Sequence, residues 1–438
     1  MSEPKTYDVV GIGFGPANLS LAIALEEHPD PVSAVFFERR EALSWHPGML
    51  VPSAKMQVSF LKDLVTFRNP VSPFSFVSYL HESGRLARFV NNQDFFPTRR
   101  EFHSYLEWAE SKLGPRVVYG SEVTAMRVPA GARGPADRVL VEVRDAGLGG
   151  ATRLVAARNV VISTGLVPRM PAGVEPDTTV WHSSEFLDRF RQHQRRIRRV
   201  AVAGGGQSAA EIVRFLYDNL PDAEIHAIVP AYGYSIADNT PFANQVFDPD
   251  AIDDYYYGSP RSRDAFWKYH ANTNYSVVDG EVLRDLYQRA SEDDLAGTNR
   301  LHFVNLTRVI GVKTVQNEVR ITMYSTARED SYDQDVDVLV CATGYDPMDP
   351  AELLGDIAPR CLHDAEGRIE VGRDFRLVTT PDLRCRIYLQ GGTEHTHGLS
   401  SSLLSNLATR SGEITRSIAA GPAAMSAPRE KEEPAHEH

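Results

Sequence analysis

Asp8-Val9-Val10-Gly11-Ile12-Gly13-Phe14-Gly15-Pro16-Ala17-Asn18-Leu19 reads as an apolar strand, a glycine turn and the start of a helix. Val200-Ala201-Val202-Ala203-Gly204-Gly205-Gly206-Gln207-Ser208-Ala209-Ala210-Glu211 repeats the pattern. In the first stretch Gly11 permits the tight turn, and Gly13 lets the backbone approach a pyrophosphate. The amides that open the next helix supply donors and a positive dipole end. Gly15 and Pro16 stand at that opening, where proline is tolerated as the first helical residue. Glu38, at the end of the second strand, stands where an acid would bind adenosine ribose hydroxyls. Gly204, Gly206 and Ala209 repeat the fingerprint, with Gln207 and Ser208 at the helix start. Two such turns in one chain imply two dinucleotides held face to face, a flavin and the nicotinamide that reduces it.

The rest of the chain extends that frame. Val35-Phe36-Phe37 closes a first βαβ unit, and Arg158–Thr164 reads as another buried strand. Arg199–Ala203, a helix over Ala209–Asn219 and Ile225–Val229 form the second unit. The expected fold is α/β, with two Rossmann-like dinucleotide-binding domains and a small, mainly helical substrate segment. The expected boundaries are 1–165 with 341–420 for FAD, 166–235 with 299–340 for NADPH, and 236–298 for the substrate segment. The Ala-, Pro- and Glu-rich tail, 421–438, is expected to be disordered. Ser402–Ala419 reads as a last helix, and a helix after Gly398 would aim its N-terminus at the flavin.

Bulk properties narrow the class. The 438 residues carry a net charge of −12, which argues against a nucleic-acid surface. No apolar run approaches the ~20 residues of a membrane span, and the short polar start leaves no place for a signal peptide. Cys341, Cys361 and Cys385 are odd in number and far apart, which fits a reducing cytoplasm and no metal. His395 and His397 find no third ligand of suitable type.

Several further runs carry a resemblance. They are Trp45-His46, Lys55-Met56-Gln57-Val58-Ser59-Phe60-Leu61-Lys62-Asp63-Leu64, Phe67-Arg68-Asn69-Pro70, Pro241-Phe242-Ala243-Asn244, Thr273-Asn274-Tyr275-Ser276 and Thr396-His397-Gly398-Leu399-Ser400. From about Tyr7 to Ala419 the chain resembles the flavin-dependent N-hydroxylating monooxygenases, nearest the bacterial ornithine N5-monooxygenases of siderophore and piperazate pathways. The resemblance implies that Lys62 and Asn244 bind the substrate carboxylate and that Asn274 holds the amine. It places Gln57, Trp45 and His46 near the flavin ring and Gln207 and Ser208 against NADP, with Ser400 and Ser401 in a segment closing over flavin and substrate. Gln57 and Asn274 are its catalytic candidates. It also implies oxygen carried as a flavin C4a-hydroperoxide, with NADP+ retained to protect it, and a homotetramer.

The chemistry suits these residue types. An amine of pKa ~10.4 must be neutral to attack oxygen, at a cost of about 4 kcal/mol at pH 7. Desolvation offsets part of that cost. Asn274 can accept an amine N–H without the charge by which an Asp would hold it as ammonium, and Lys62 suits a permanent carboxylate. The implied reaction takes L-ornithine, O2 and NADPH to N5-hydroxy-L-ornithine. Lysine N6-hydroxylation stays open, since one methylene is worth only ~1–3 kcal/mol, as does a diamine substrate. In isolation Lys62 would read as a surface residue, the two asparagines as turn formers and Trp45 as core packing.

Pro230 departs from the fungal and some bacterial members of the family, which carry there an Arg that contacts the NADPH phosphate. No acid at that strand end repels a 2′-phosphate, so NADPH is permitted. Other flavoprotein readings fail on residues. Thr178 replaces the glycine four before His182 that marks ketone-oxidising relatives, and no Cys pair serves a disulfide reductase. A redox-sensing flavoprotein would have no need of the substrate residues.

Overall fold

The computed structural model describes residues 3–114, 116–129, 134–315 and 318–421. Of the tail expected from 421, all but Gly421 lies outside the described residues. Two separate sheets are each built on one of the glycine turns. In the first, the strands run in the order Val117–Val118, Ala34–Phe37, Thr6–Ile12, Ala151–Ile162, Val139–Asp145, Ser121–Arg127. The first pairs are parallel, with Val9 opposite Ala34 and Val10 opposite Val160. The long strand Ala151–Ile162 changes partner along its length. Its first half pairs antiparallel with Val139–Asp145, and its last four residues also take Arg386–Leu389 in parallel.

The second sheet is wholly parallel, in the order Leu301–Val304, Glu224–Ile228, Arg199–Ala203, Val338–Cys341, Val180–His182. Its strands are apolar runs because both faces are covered. Val200, Val202, Ile225 and Ala227 pack under the helix Gln207–Asn219. Ala201, Ala203 and Ile228 face an antiparallel three-stranded sheet spanning 307–336. The two chain crossings between the sheets lie side by side, with Leu166–Pro168 antiparallel to Tyr345–Pro347.

The helix Pro16–Glu26 is buried from Asn18 through Leu25, which explains its lack of a polar stripe. Strand and helix limits shift by a few residues from those read in the sequence; the strand expected from Arg158 begins at Ala151. Two differences are larger. The segment 236–298 is mainly helical, yet Ser235–Ile236 pairs in parallel with Val277–Val278 at its root. The last helix begins at Leu407, preceded by 3-10 turns at Leu399–Ser402 and Leu404–Asn406. Leu403 is extended between those turns, and serine hydroxyls compete for local backbone bonds. Gly398 therefore leads into a four-residue turn, and the expected helix dipole is absent there.

Candidate active site

The first glycine turn is shaped by contacts that exclude side chains. A Cβ on Gly11 would lie 2.1 Å from the Phe36 ring. Gly13 has φ +80°, and its Cβ would lie 2.5 Å from the Ser163 carbonyl. Gly15 caps the helix with Pro16 at its first position, and a Cβ on Gly15 would meet nothing within 4 Å. The turn is thus rigid behind and open in front. Asn18 Nδ2 donates to the Gly13 carbonyl at 2.7 Å, and Gln390 donates to Asn18 at 2.9 Å. Glu38 accepts the Phe14 N–H at 2.7 Å and the Arg40 N–H at 2.9 Å, which keeps its carboxylate against the turn. A cavity of about 500 Å3, lined in part by Arg39, Arg40 and Gly120, starts one residue past Glu38. Gln390, bonded to Asn18, has its Oε1 buried without a partner, and Thr393 Oγ1 and both amide atoms of Asn406 are likewise buried unpartnered. An open helix start, an anchored acid and unpaired buried polar atoms fit a large polar nucleotide such as FAD.

The second turn is built alike. Gly204 has φ +153°, and its Cβ would lie 2.3 Å from the Ala342 carbonyl. Gly206 caps the helix that starts at Gln207. Space beside Gly206 is bounded by Ser276, whose Cα would be 3.8 Å from an added Cβ. Ser208 is half-buried and Pro230 exposed. The turn fits a second dinucleotide on the same ground: backbone fills one side, and helix amides face the other.

Lys62 lies in a run held from within. Asp63, 2% exposed, accepts the N–H groups of Val65, Thr66 and Phe76 and the Thr66 hydroxyl. Burial pushes the Asp63 carboxyl up against the pull of these donors. Ser20, on the first helix, donates to the Leu64 carbonyl at 2.7 Å. The Lys62 ammonium is half-buried and 5.8 Å from the Phe247 ring. Burial pulls its pKa below the usual value, and the nearby Asp248 carboxylate works against that shift.

The segment 236–298 therefore reaches Lys62, and it reaches two other sites too. Gln245–Phe247 packs on Leu399–Ser402, and the Tyr275 hydroxyl donates to Glu394 at 2.6 Å. Asp279 N–H donates to Gln207 Oε1 at 2.7 Å. Asn244 itself is exposed, with Nδ2 on the Asn239 carbonyl at 3.0 Å. Asn274, half-buried, hydrogen-bonds Tyr275. Ser400 and Ser401 are buried at 3% and 1%, and Arg410 donates to the Ser401 carbonyl. Gln57 is exposed. Trp45 packs edge-on to His46 and tilted on Phe102, and His46 lies 6.2 Å from the Tyr345 ring.

Two clusters escaped the sequence reading. One is the buried ion pair of Arg99 with Glu211. The other is Glu224, His226 and His302, whose donor atoms lie within 4.8 Å of one another. Parallel pairing sets the two histidines side by side, a cross-strand neighbourhood that needs the register to be known. Their rings stack at 17°, and Glu224 pairs with Arg199 at 2.9 Å. Lone pairs in parallel ring planes do not converge on one ion, so the cluster reads as a polar ladder on the sheet face.

Fold and site together define an oxidoreductase with two dinucleotide sites and a third segment docked where they meet. The chain belongs to the L-lysine 6-monooxygenase/L-ornithine 5-monooxygenase family, whose model matches residues 5–347. It is similar to the Kutzneria sp. 744 ornithine N-hydroxylase, solved with reduced FAD, NADP+ and L-ornithine. That likeness is 70% identity and TM-score 0.92, over 95% of this chain and 99% of the other. It is 34% identical to the L-ornithine N(5)-monooxygenase of Pseudomonas aeruginosa, over 94% of this chain and 93% of that protein. The L-lysine 6-monooxygenase of Pseudomonas syringae matches at 30% identity and TM-score 0.82, over 95% of this chain and all of the other.

Proposed function

We propose that the chain is an FAD- and NADPH-dependent monooxygenase that converts L-ornithine to N5-hydroxy-L-ornithine, the precursor type used in siderophores and piperazates. NADPH supplies the electrons and bound FAD the activated oxygen from O2. The observation that carries the reading is Lys62: a half-buried ammonium on an internally braced run, covered by the segment that also touches the second glycine turn. A carboxylate there forms a charge-assisted pair worth roughly 1.5–3 kcal/mol. Asn244 lies three residues before Phe247 and would share that carboxylate. Asn274 would accept an N–H of the side-chain amine while leaving it uncharged. Gln57, Trp45, His46 and Ser400 would border the flavin, Ser401 the substrate, and Gln207 and Ser208 NADP. Domain limits of 1–165 with 341–420, 166–235 with 299–340, and 236–298 go with this reading.

Among the described residues no helix is long and apolar enough to cross a membrane. A homotetramer is part of the proposal and rests on the family resemblance. Light scattering in solution tests it. The reaction is tested on FAD-loaded protein with NADPH and L-ornithine, L-lysine, putrescine or cadaverine. Hydroxylamine from ornithine is expected. Product from diamines alone would overturn the Lys62 assignment, and NADPH oxidation without hydroxylamine would overturn the reaction.

A further inference from the structure

We propose that the Arg99–Glu211 ion pair positions the nicotinamide-binding helix against the flavin side of the site. The inference rests on the proposed two-cofactor function. Arg99 is the first residue of the helix Arg99–Ser111, capped by Thr98. Its N–H donates to the Ala54 carbonyl at 2.8 Å, and Nη1 reaches the Met49 carbonyl at 3.3 Å. Arg99 is thereby fixed to the strip leading to Gln57. Glu211 lies one helical turn beyond Gln207, on the helix that opens at the second glycine turn. The guanidinium meets the carboxylate in a two-pronged bond, Nη1–Oε2 at 2.5 Å and Nη2–Oε1 at 3.1 Å.

The side chains are 12% and 1% exposed. A buried pair is weak evidence for added stability, because desolvation offsets its attraction. Its use is geometric. If the two bodies rotate against each other while still packed, the guanidinium and carboxylate part where Glu211 is 1% exposed and water is excluded, so one relative orientation is favoured. Met49, Val51 and Ala54 also pack into the core under the second sheet, but apolar packing is not directional, and the nearby polar links Lys55–Glu281 at 3.4 Å and Arg214–Ser53 at 3.3 Å are exposed and hold little.

The same carboxylate also orients Gln207. Gln207 Nε2 donates to Glu211 Oε1 at 2.7 Å, and its Oε1 accepts the Asp279 N–H at 2.7 Å. The amide at the mouth of the second turn thus has both ends assigned. Arg99, Glu211, Gln207 and Asp279 form one chain of bonds from the flavin side through the nicotinamide helix to the substrate segment.

Glu211→Gln and Arg99→Lys test it, since lysine keeps the charge but lacks the planar fork. NADP+ affinity is read by flavin difference spectra, helix protection at 207–219 by hydrogen exchange without cofactor added, and flavin reduction anaerobically with NADPH. Expected are at least tenfold weaker NADP+ binding, tenfold slower reduction and lost protection, with the ornithine KM within threefold of wild type. NADP+ affinity and protection within twofold of wild type would overturn the proposal. So would a lowered melting temperature with unchanged NADP+ affinity. If Glu211→Gln does not fold, Arg99→Lys decides. A wild type that yields no hydroxylamine would defeat the reading of function, while the exchange comparison would still decide the role of the pair.

Discussion

Lys62 shows how much one residue depends on its support. Its charge is costly to bury, and Asp63 makes the position fixed by taking four hydrogen bonds next to it. Lys62→Ala should raise the ornithine KM by about 10- to 100-fold, the value of a charge-assisted bond. Flavin reduction by NADPH should stay within twofold, checked by stopped-flow against steady-state rates. Burial lowers the Lys62 pKa, so the ammonium is lost at a lower pH than an exposed lysine's. Ornithine KM should therefore climb in the alkaline range. In Lys62→Arg that climb should flatten, because a guanidinium stays charged. A KM profile identical in both proteins would speak against carboxylate binding at this position.

The elements set where backbone can approach a ligand. Gly13 and Gly204 both have left-handed φ values and a carbonyl where a Cβ would go. Gly13→Ala should yield protein poor in FAD, read from the ratio of flavin to protein absorbance. Gly204→Ala should hold FAD but bind NADP+ at least tenfold more weakly. Much of this was legible in the chain: a strand, a glycine turn, a helix and Glu38 follow one another within a single unit. The Leu399–Ser402 turn was not, since helix propensity gives no warning that Leu403 goes extended and Arg410 takes the Ser401 carbonyl. Nor was the Arg99–Glu211 pair, whose members are 112 residues apart and unremarkable in isolation.

For the whole molecule, acid should loosen the fold through a buried histidine. His397 is 1% exposed, stacked on Phe375 at 4.1 Å, and burial pulls its pKa from 6.5 to about 3. The unfolded chain binds a proton near pH 6.5 that the folded chain refuses until about pH 3. Stability gained by the neutral form is therefore complete above the unfolded value and falls as pH drops through that window. The melting temperature should decline between pH 7 and 5, less steeply in His397→Gln. Arg373 ties the substrate segment to the last helix, through Asp253 and through Glu413 at 2.8 Å. Arg373→Met should cost about 1.5–3 kcal/mol in denaturant unfolding, as two part-buried charge-assisted contacts lose their shared donor.

The sequence alone determined the two nucleotide folds, because glycine at a turn and apolar periodicity act over a few neighbouring residues. It also carried the family resemblance of the runs at Lys62, Asn244 and Asn274. Tertiary structure decided what those runs touch. Phe247 came to lie over Lys62, Asp279 bonded Gln207, and Glu211 met Arg99. Such contacts join residues from distant parts of the chain. Their energy depends on burial and angle, which exist only once the sheets, the helices and the inserted segment have packed.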